Sequence, residues 1–399
     1  MKPWLCEIDG LRAVAALSVV LTHYHLSIPE AHLSFLWPPT GFPFACVGVI
    51  LFFVISSFLL TLLMTHEYYE TNRINVVSFF IRRILRIWPL YFFIIGIAYL
   101  ELAPWGLLSF WPFSPIPSET WLRLMNRLWT YFCFISNWDL AFYKFNGLFD
   151  AIPHEFTILW SMAIEEQFYL FFPFMMMLWF KFNHLRVWIP TTLICIAILT
   201  RYLFVHYPIQ LAPPGMGGMY YSTLTYLDVF VYGAMAGMMF YRDKTKTGIL
   251  HKMLHLPGFG IMLATILLVL SWVWRNDVLY PYSALCIIAY HLLGFILAIG
   301  ILWILAHPSA IISHVLRSSI LRFLGSISYG IYLWHLIVLR IINQLFMYRL
   351  QEGLYQYTGL MKYFPLICFL FLTILLASIT YFVVEKPCIH LKKFFKLSH

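Results

Sequence analysis

Ten stretches of the chain are apolar and long enough to cross a bilayer, near residues 8–28, 41–65, 86–103, 157–180, 187–206, 223–241, 256–274, 280–306, 323–348 and 363–384. A spanning α-helix needs roughly 20 such residues for about 30 Å of hydrocarbon. The pattern predicts an all-α, polytopic integral membrane protein of about ten transmembrane helices, with residues 1–399 as a single transmembrane domain. Segment 121–137 (WLRLMNRLWTYFCFISN) is apolar but carries Arg123 and Arg127 in a Pro-rich stretch, and reads as interfacial or re-entrant.

Charge sets the expected orientation, because Lys and Arg gather in cytoplasmic loops. With the amino terminus inside, 17 Lys and Arg fall in inside segments and six outside, while Arg12, Arg201 and Arg340 lie within spans. Both termini are therefore expected in the cytoplasm. This topology absorbs most of the net charge of +9, so no nucleic-acid partner is invoked. Only 11% of the residues are charged, against about 25% in a soluble domain, which excludes a soluble globular enzyme. Seven cysteines stand singly with no C-x-x-C pair, so neither a disulfide framework nor a metal site is expected. Asp9 and Arg12 interrupt the start of the first apolar run, which reads as a retained span and not a cleaved signal.

Ionisable groups inside spans cost at least about 2.5–3.5 kcal/mol each, so each is a candidate for function. Arg12 and His23 are eleven residues apart, three helical turns plus about 20°, and share a face about 16 Å apart along the axis. Spacing alone is compatible with a polar seam across half the bilayer, or with a hydrogen-bonded structural histidine and an arginine snorkelling to the interface. Arg82, Arg83 and Arg86 stand just before the third expected span. Arg83 and Arg86, three apart, share a face suited to gripping phosphate, although arginines at a cytoplasmic helix end also serve topology alone. Ser161, Glu165 and Tyr169 follow at i, i+4, i+8 in the fourth span, with Glu166 and Gln167 beside them. In the ninth span Ser328, Tyr332 and His335 again share a face. Glu385, Lys386 and Pro387 close the tenth span, read as a structural ion pair with a proline stop.

Taken in order, these motifs resemble the acyltransferase 3 family of integral-membrane acyltransferases. The resemblance rests on IDGLRAVAALSVVLTH (8–23), GVILFFVISSFLLT (48–61), RRILRIWP (82–89), LWSMAIEEQFYLFFP (159–173), SYGIYLWH (328–335) and YFVVEKP (381–387), and spans nearly the whole chain. It implies transfer of an acyl group, usually acetyl, from cytoplasmic acyl-CoA to a hydroxyl of a carbohydrate at or beyond the outer face of a bacterial cytoplasmic (inner) membrane. Lipopolysaccharide O-antigen is one such acceptor. Two departures stand out: Ile50 occupies an acidic position of the second motif and Ser57 its second glycine. Where many members place a histidine before the Trp-Ser pair, this chain has Ile158, with His154 nearest. The chain ends soon after the tenth span, so the extracytoplasmic hydrolase-like domain fused to some members is not expected.

The resemblance and the charge pattern converge on one layout. Arg83 and Arg86, with Arg82 in support, would hold the phosphates of acetyl-CoA, a substrate and not a resident cofactor, and Arg12 would line the channel and bind phosphate or pantetheine, or orient His23 indirectly. An extended pantetheine arm of about 15–20 Å matches the Arg12-to-His23 rise. His23, with an unperturbed pKa near 6.5, would be the general base, or the nucleophile of an acyl-histidine route, with Glu165 as its catalytic partner. Ser161, Tyr169, Tyr332 and His335 would line the channel or contact acceptor, and no metal is called for. The competing reading is a proton- or anion-coupled transporter built on the same charges.

Overall fold

The computed structural model describes residues 5–27, 44–102, 122, 125–143, 154–207, 217–242, 249–277, 284–351 and 363–393. Among these the secondary structure is helical throughout. Ten long helices fall on the ten expected runs: α1 (Cys6–Ser27), α2 (Phe44–Thr71), α3 (Val76–Leu102), α4 (Leu159–Lys181), α5 (Leu185–His206), α6 (Leu227–Arg242), α7 (Phe259–Asp277), α8 (Ala284–Ala306), α9 (Ser328–Gln351) and α10 (Phe364–Thr380). By length and apolar composition alone five helical stretches among the described residues qualify as membrane spans, Phe44–Thr71, Leu185–His206, Thr223–Arg242, Ile287–Ala306 and Phe364–His390, and a sixth if a bent pair counts as one.

α2 is the most enclosed of these, 72% of its spanning window being buried, whereas α5 and the α10 stretch are 22% buried and form the outer wall. Lipid offers helices no hydrophobic drive to associate, so close packing depends on small residues at the seams. α1 presents Ala13, Ala15 and Ala16, all fully buried. Against it a Cβ at Gly48 of α2 would stand 2.6 Å from the Ala15 carbonyl oxygen, closer than a methyl group can come. On the opposite side of α2, a Cβ at Gly237 of α6 would meet the Phe58 carbonyl at the same 2.6 Å. The central helix is thus clamped between two neighbours at backbone distance.

Two elements depart from the expected boundaries. α3 begins at Val76, ten residues before the third expected span, because Asn75 caps it: its Oδ1 accepts the Ser78 amide at 2.9 Å. The three arginines therefore lie within the helix and not ahead of it. The ninth span is broken: Ser319–Ser326 and Ser328–Asn343 meet at 72°. Gly325 and Ser326 precede the break, a pairing that weakens helix continuity.

The span-internal Arg201 is fully buried on α5 and satisfied by Asp228 at the start of α6. Nη1 donates to Oδ2 at 2.7 Å and Nη2 to Oδ1 at 2.6 Å, and Nη2 also reaches the Thr225 carbonyl. His291 of α8 adds a contact to Asp228 at 3.1 Å, and the Tyr232 hydroxyl meets His291 at 2.9 Å. This quartet ties α5, α6 and α8 together. The described part of segment 121–137 contains a five-residue helix, Leu128–Phe132, and the start of an eight-residue one, Ser136–Tyr143. Gln167 of α4 binds them through the Phe134 carbonyl and Asn137 at 2.6 and 2.8 Å. Arg123 lies outside the described residues.

Candidate active site

The motif residues meet between α1, α2, α3, α4 and α9. A cavity of about 100 Å³ there is lined by Arg12, Arg83, Arg86, Ser161, Glu165, Tyr169 and Tyr332, with Ser56, Ser328 and aromatic walls at Phe52 and Phe53. Three guanidinium groups from two helices thus converge on one space. The bend ahead of α9 turns its first residues, Ser328 and Tyr329, toward them, and the partial positive charge of a helix N-terminus adds to the field. Tyr329 is locked there by donating to the Ile87 carbonyl of α3 at 2.9 Å.

Glu165 is buried and held by Ser56, whose hydroxyl donates to Oε1 at 2.5 Å. The phenol of Tyr169, one turn on, is within reach of the same carboxylate, and Arg12 and Arg83 act on it electrostatically. Its partner is therefore the arginine cluster and Ser56, not His23. Glu166, on the adjacent face, accepts from the Trp88 indole at 3.2 Å.

A second polar line leaves the cavity at Ser161. Its Oγ and the Tyr332 hydroxyl lie 2.7 Å apart, and both reach the carbonyl of Ile158. The side chain of His154 lies outside the described residues. One turn beyond Tyr332, His335 is completely buried, its Nδ1 2.6 Å from the Tyr332 carbonyl and its Nε2 3.1 Å from Nδ1 of His23. The two imidazole centroids are 5.0 Å apart. A carbonyl only accepts, so Nδ1 of His335 carries a proton. In the neutral ring Nε2 is then an acceptor, His23 donates from Nδ1, and the lone pair of His23 resides on Nε2.

Of the ten residues singled out in the sequence, Arg12, Arg83, Arg86, Ser161, Glu165, Tyr169 and Tyr332 line the cavity and His335 links it to His23. Arg82 does not join them. It turns to Glu67 of α2, 3.4 Å away, because adjacent helix positions diverge by about 100°. The same geometry corrects the closing motif. Glu385 and Lys386 do not pair: Glu385 is 3% exposed and faces Arg86 and Arg12, while Lys386 lies over the Phe382 ring at 5.1 Å. Pro387 does not stop the helix either. A π-helical turn, Tyr381–Glu385, leads into a further turn, Lys386–His390, whose first residues include the proline. Ser56 and Asp9 also belong to the cluster, Asp9 facing Arg12, Arg86 and Arg322. Neither was singled out, although Asp9 stands three residues before Arg12 on one helix face.

A larger cavity of about 280 Å³ between α4, α5 and α6 is lined by apolar side chains such as Phe171, Met175, Ile189 and Met235, with only Thr61, Trp138, Gln167 and Thr223 polar. It holds no titratable group and so no means of moving a proton. Among the described residues no three His, Cys, Asp or Glu side chains are grouped to hold a metal ion.

The acyltransferase domain family Acyl_transf_3 matches residues 7–383. Two relatives, the O-acetyltransferases OatA of Staphylococcus aureus strains NCTC 8325 and COL, are each 28% identical over 387 residues. The alignment covers 96% of this chain and 57% of the relatives, so the chain spans little more than half their length. No solved structure matches.

Proposed function

The chain belongs to the acyltransferase 3 family and is an acyl-transferring enzyme, and on that premise we propose that it is a membrane-embedded O-acetyltransferase. It takes acetyl from acetyl-CoA in the cytoplasm and delivers it to a hydroxyl of an envelope carbohydrate, such as lipopolysaccharide O-antigen, at the outer face of a bacterial inner membrane. In this reading residues 1–399 act as one transmembrane domain, all ten long helices cross the bilayer and both termini are cytoplasmic. The similarity to O-acetyltransferases supports the acetyl group, and the placement of Lys and Arg supports the orientation.

The observation that carries the proposal is that Tyr332 lines the arginine-rich cavity with its side chain while its backbone carbonyl holds the His335–His23 pair one turn on. Arg12, Arg83 and Arg86 hold the phosphates of the donor by charge-assisted bonds, helped by the first turn of α9. Glu165, pinned by Ser56, keeps the guanidinium groups apart and oriented. The thioester threads outward about as far as Arg12 is from His23, roughly 16 Å. There Nε2 of His23 takes the proton of the acceptor hydroxyl as its oxygen attacks the acetyl carbonyl. The carbon–oxygen bond forms, the carbon–sulfur bond breaks, and the departing thiolate recovers the proton from imidazolium. His335 positions His23: by accepting from its Nδ1 it fixes the reactive tautomer and steadies the transient cation.

The test is acetyl transfer from radiolabelled acetyl-CoA to a crude envelope-glycan fraction, by membranes carrying equal amounts of wild type or His23→Ala. Label incorporated by the wild type and lost in the variant supports the reading. Equal label in both removes His23 from the chemistry.

A further inference from the structure

Three guanidinium groups, those of Arg12, Arg83 and Arg86, are opposed by four carboxylates, those of Asp9, Glu165, Glu166 and Glu385. Three of the carboxylates have evident local duties. Asp9 also faces Arg322 beyond the cavity, Glu165 lines the cavity with its Oε1 capped by Ser56, and Glu166 accepts from the Trp88 indole. Glu385 has no such duty. It does not line the cavity but stands behind the arginines, brought there by the π-helical turn that packs on α3. Its side chain is 3% exposed, and its Oε1 is buried with no hydrogen-bond partner among the described residues. Placing an unsatisfied carboxylate in that position is unfavourable, so it calls for a gain elsewhere.

Substrate chemistry supplies the gain, on the premise that the donor is an acyl-CoA. The acyl group is uncharged, so donor and product present the same phosphates to the same arginines. A cluster that gripped those phosphates with its full charge would hold spent CoA as firmly as acetyl-CoA and stall between turnovers. We propose that Glu385 is a built-in counter-anion that weakens the arginine cluster's hold on the phosphates so that product CoA can leave. It acts at one remove, through Arg12 and Arg86, and is a residue that tunes affinity and not a catalytic one.

The test measures affinity and dissociation rate of CoA on the full-length protein in lipid nanodiscs, for wild type, Glu385→Gln, the apolar Glu385→Met and the charge-retaining Glu385→Asp. The neutral variants should bind CoA about tenfold more tightly, the size of one unit-charge interaction across roughly 12 Å at an effective dielectric of about 20. The gain should appear as slower dissociation and be smaller for 3′-dephospho-CoA, which carries less charge. A merely structural role would move both ligands alike. Glu385→Asp should stay near wild type. CoA binding by wild type that is unchanged or weakened in the folded neutral variants would overturn the proposal while leaving the donor reading intact. Failure of both neutral variants to fold would also overturn it, making Glu385 a structural counter-ion. No CoA binding by wild type would end the donor reading, and this inference with it.

Discussion

Nδ1 of His23 lies 3.1 Å from Nε2 of His335, and the far nitrogen of His335 is tied to the backbone carbonyl of Tyr332. The backbone of α9 therefore dictates which nitrogen of a side chain on α1 holds its lone pair. His335→Ala removes that instruction while leaving His23 in place. Acetyl transfer is expected to fall about 100-fold through misorientation, with donor affinity nearly unchanged. His23→Ala should lose about 10²–10⁴-fold, the usual reach of general acid–base catalysis. Parallel rate and CoA-binding measurements check both, and equal loss of binding in His335→Ala would contradict the assignment.

Arg82, Arg83 and Arg86 separate cleanly. Arg83→Ala and Arg86→Ala should each weaken CoA binding at least tenfold, since each deletes a cation that lines the cavity. Arg82→Ala should change it by less than about twofold, because its guanidinium is turned away from the cavity to a partly buried pair with Glu67. Isothermal titration of the three variants with CoA decides the matter.

Tyr332→Phe keeps the ring but deletes the hydroxyl that meets Ser161 and the Ile158 carbonyl. Loss of about 1 kcal/mol of stability is expected, and Ser161→Ala should cost a similar amount. The two changes remove one shared bond, so the double variant should fall short of their sum. Thermal unfolding of the four proteins in the same detergent closes the cycle.

Arg201→Ala or Asp228→Ala leaves a fully buried charge without its bidentate partner and should destabilise the fold by about 3–5 kcal/mol. Replacing both with apolar residues of similar volume should recover most of that loss. The melting temperature of single and double variants is the readout, and additive losses would argue against the pairing.

Much of this site was legible in the sequence because helical spacing is rigid. Ser161, Glu165 and Tyr169 line one cavity as their fourfold interval requires, and Arg83 and Arg86 do so at an interval of three. What spacing within a helix does not give is register between helices. That Glu165 would meet Ser56 of α2, or that His23 would meet His335 and not Glu165, depends on how α1, α2, α4 and α9 cross. Arg82 and Glu385 differ from their expected places for the opposite reason, since adjacent positions on a helix diverge by about 100°. The break before α9 left its trace in Gly325 and Ser326, but hydropathy averages over such pairs and reads one continuous span.

The break has a mechanical meaning. Beyond it, Ser328 at the arginine-lined cavity and His335 at the histidine pair are mounted on one stiff rod, seven residues or about 10.5 Å apart. A swivel at Ile327 cannot shift one without turning the other. The arginine-lined end of the site and its histidine end are thus carried by a single rigid element.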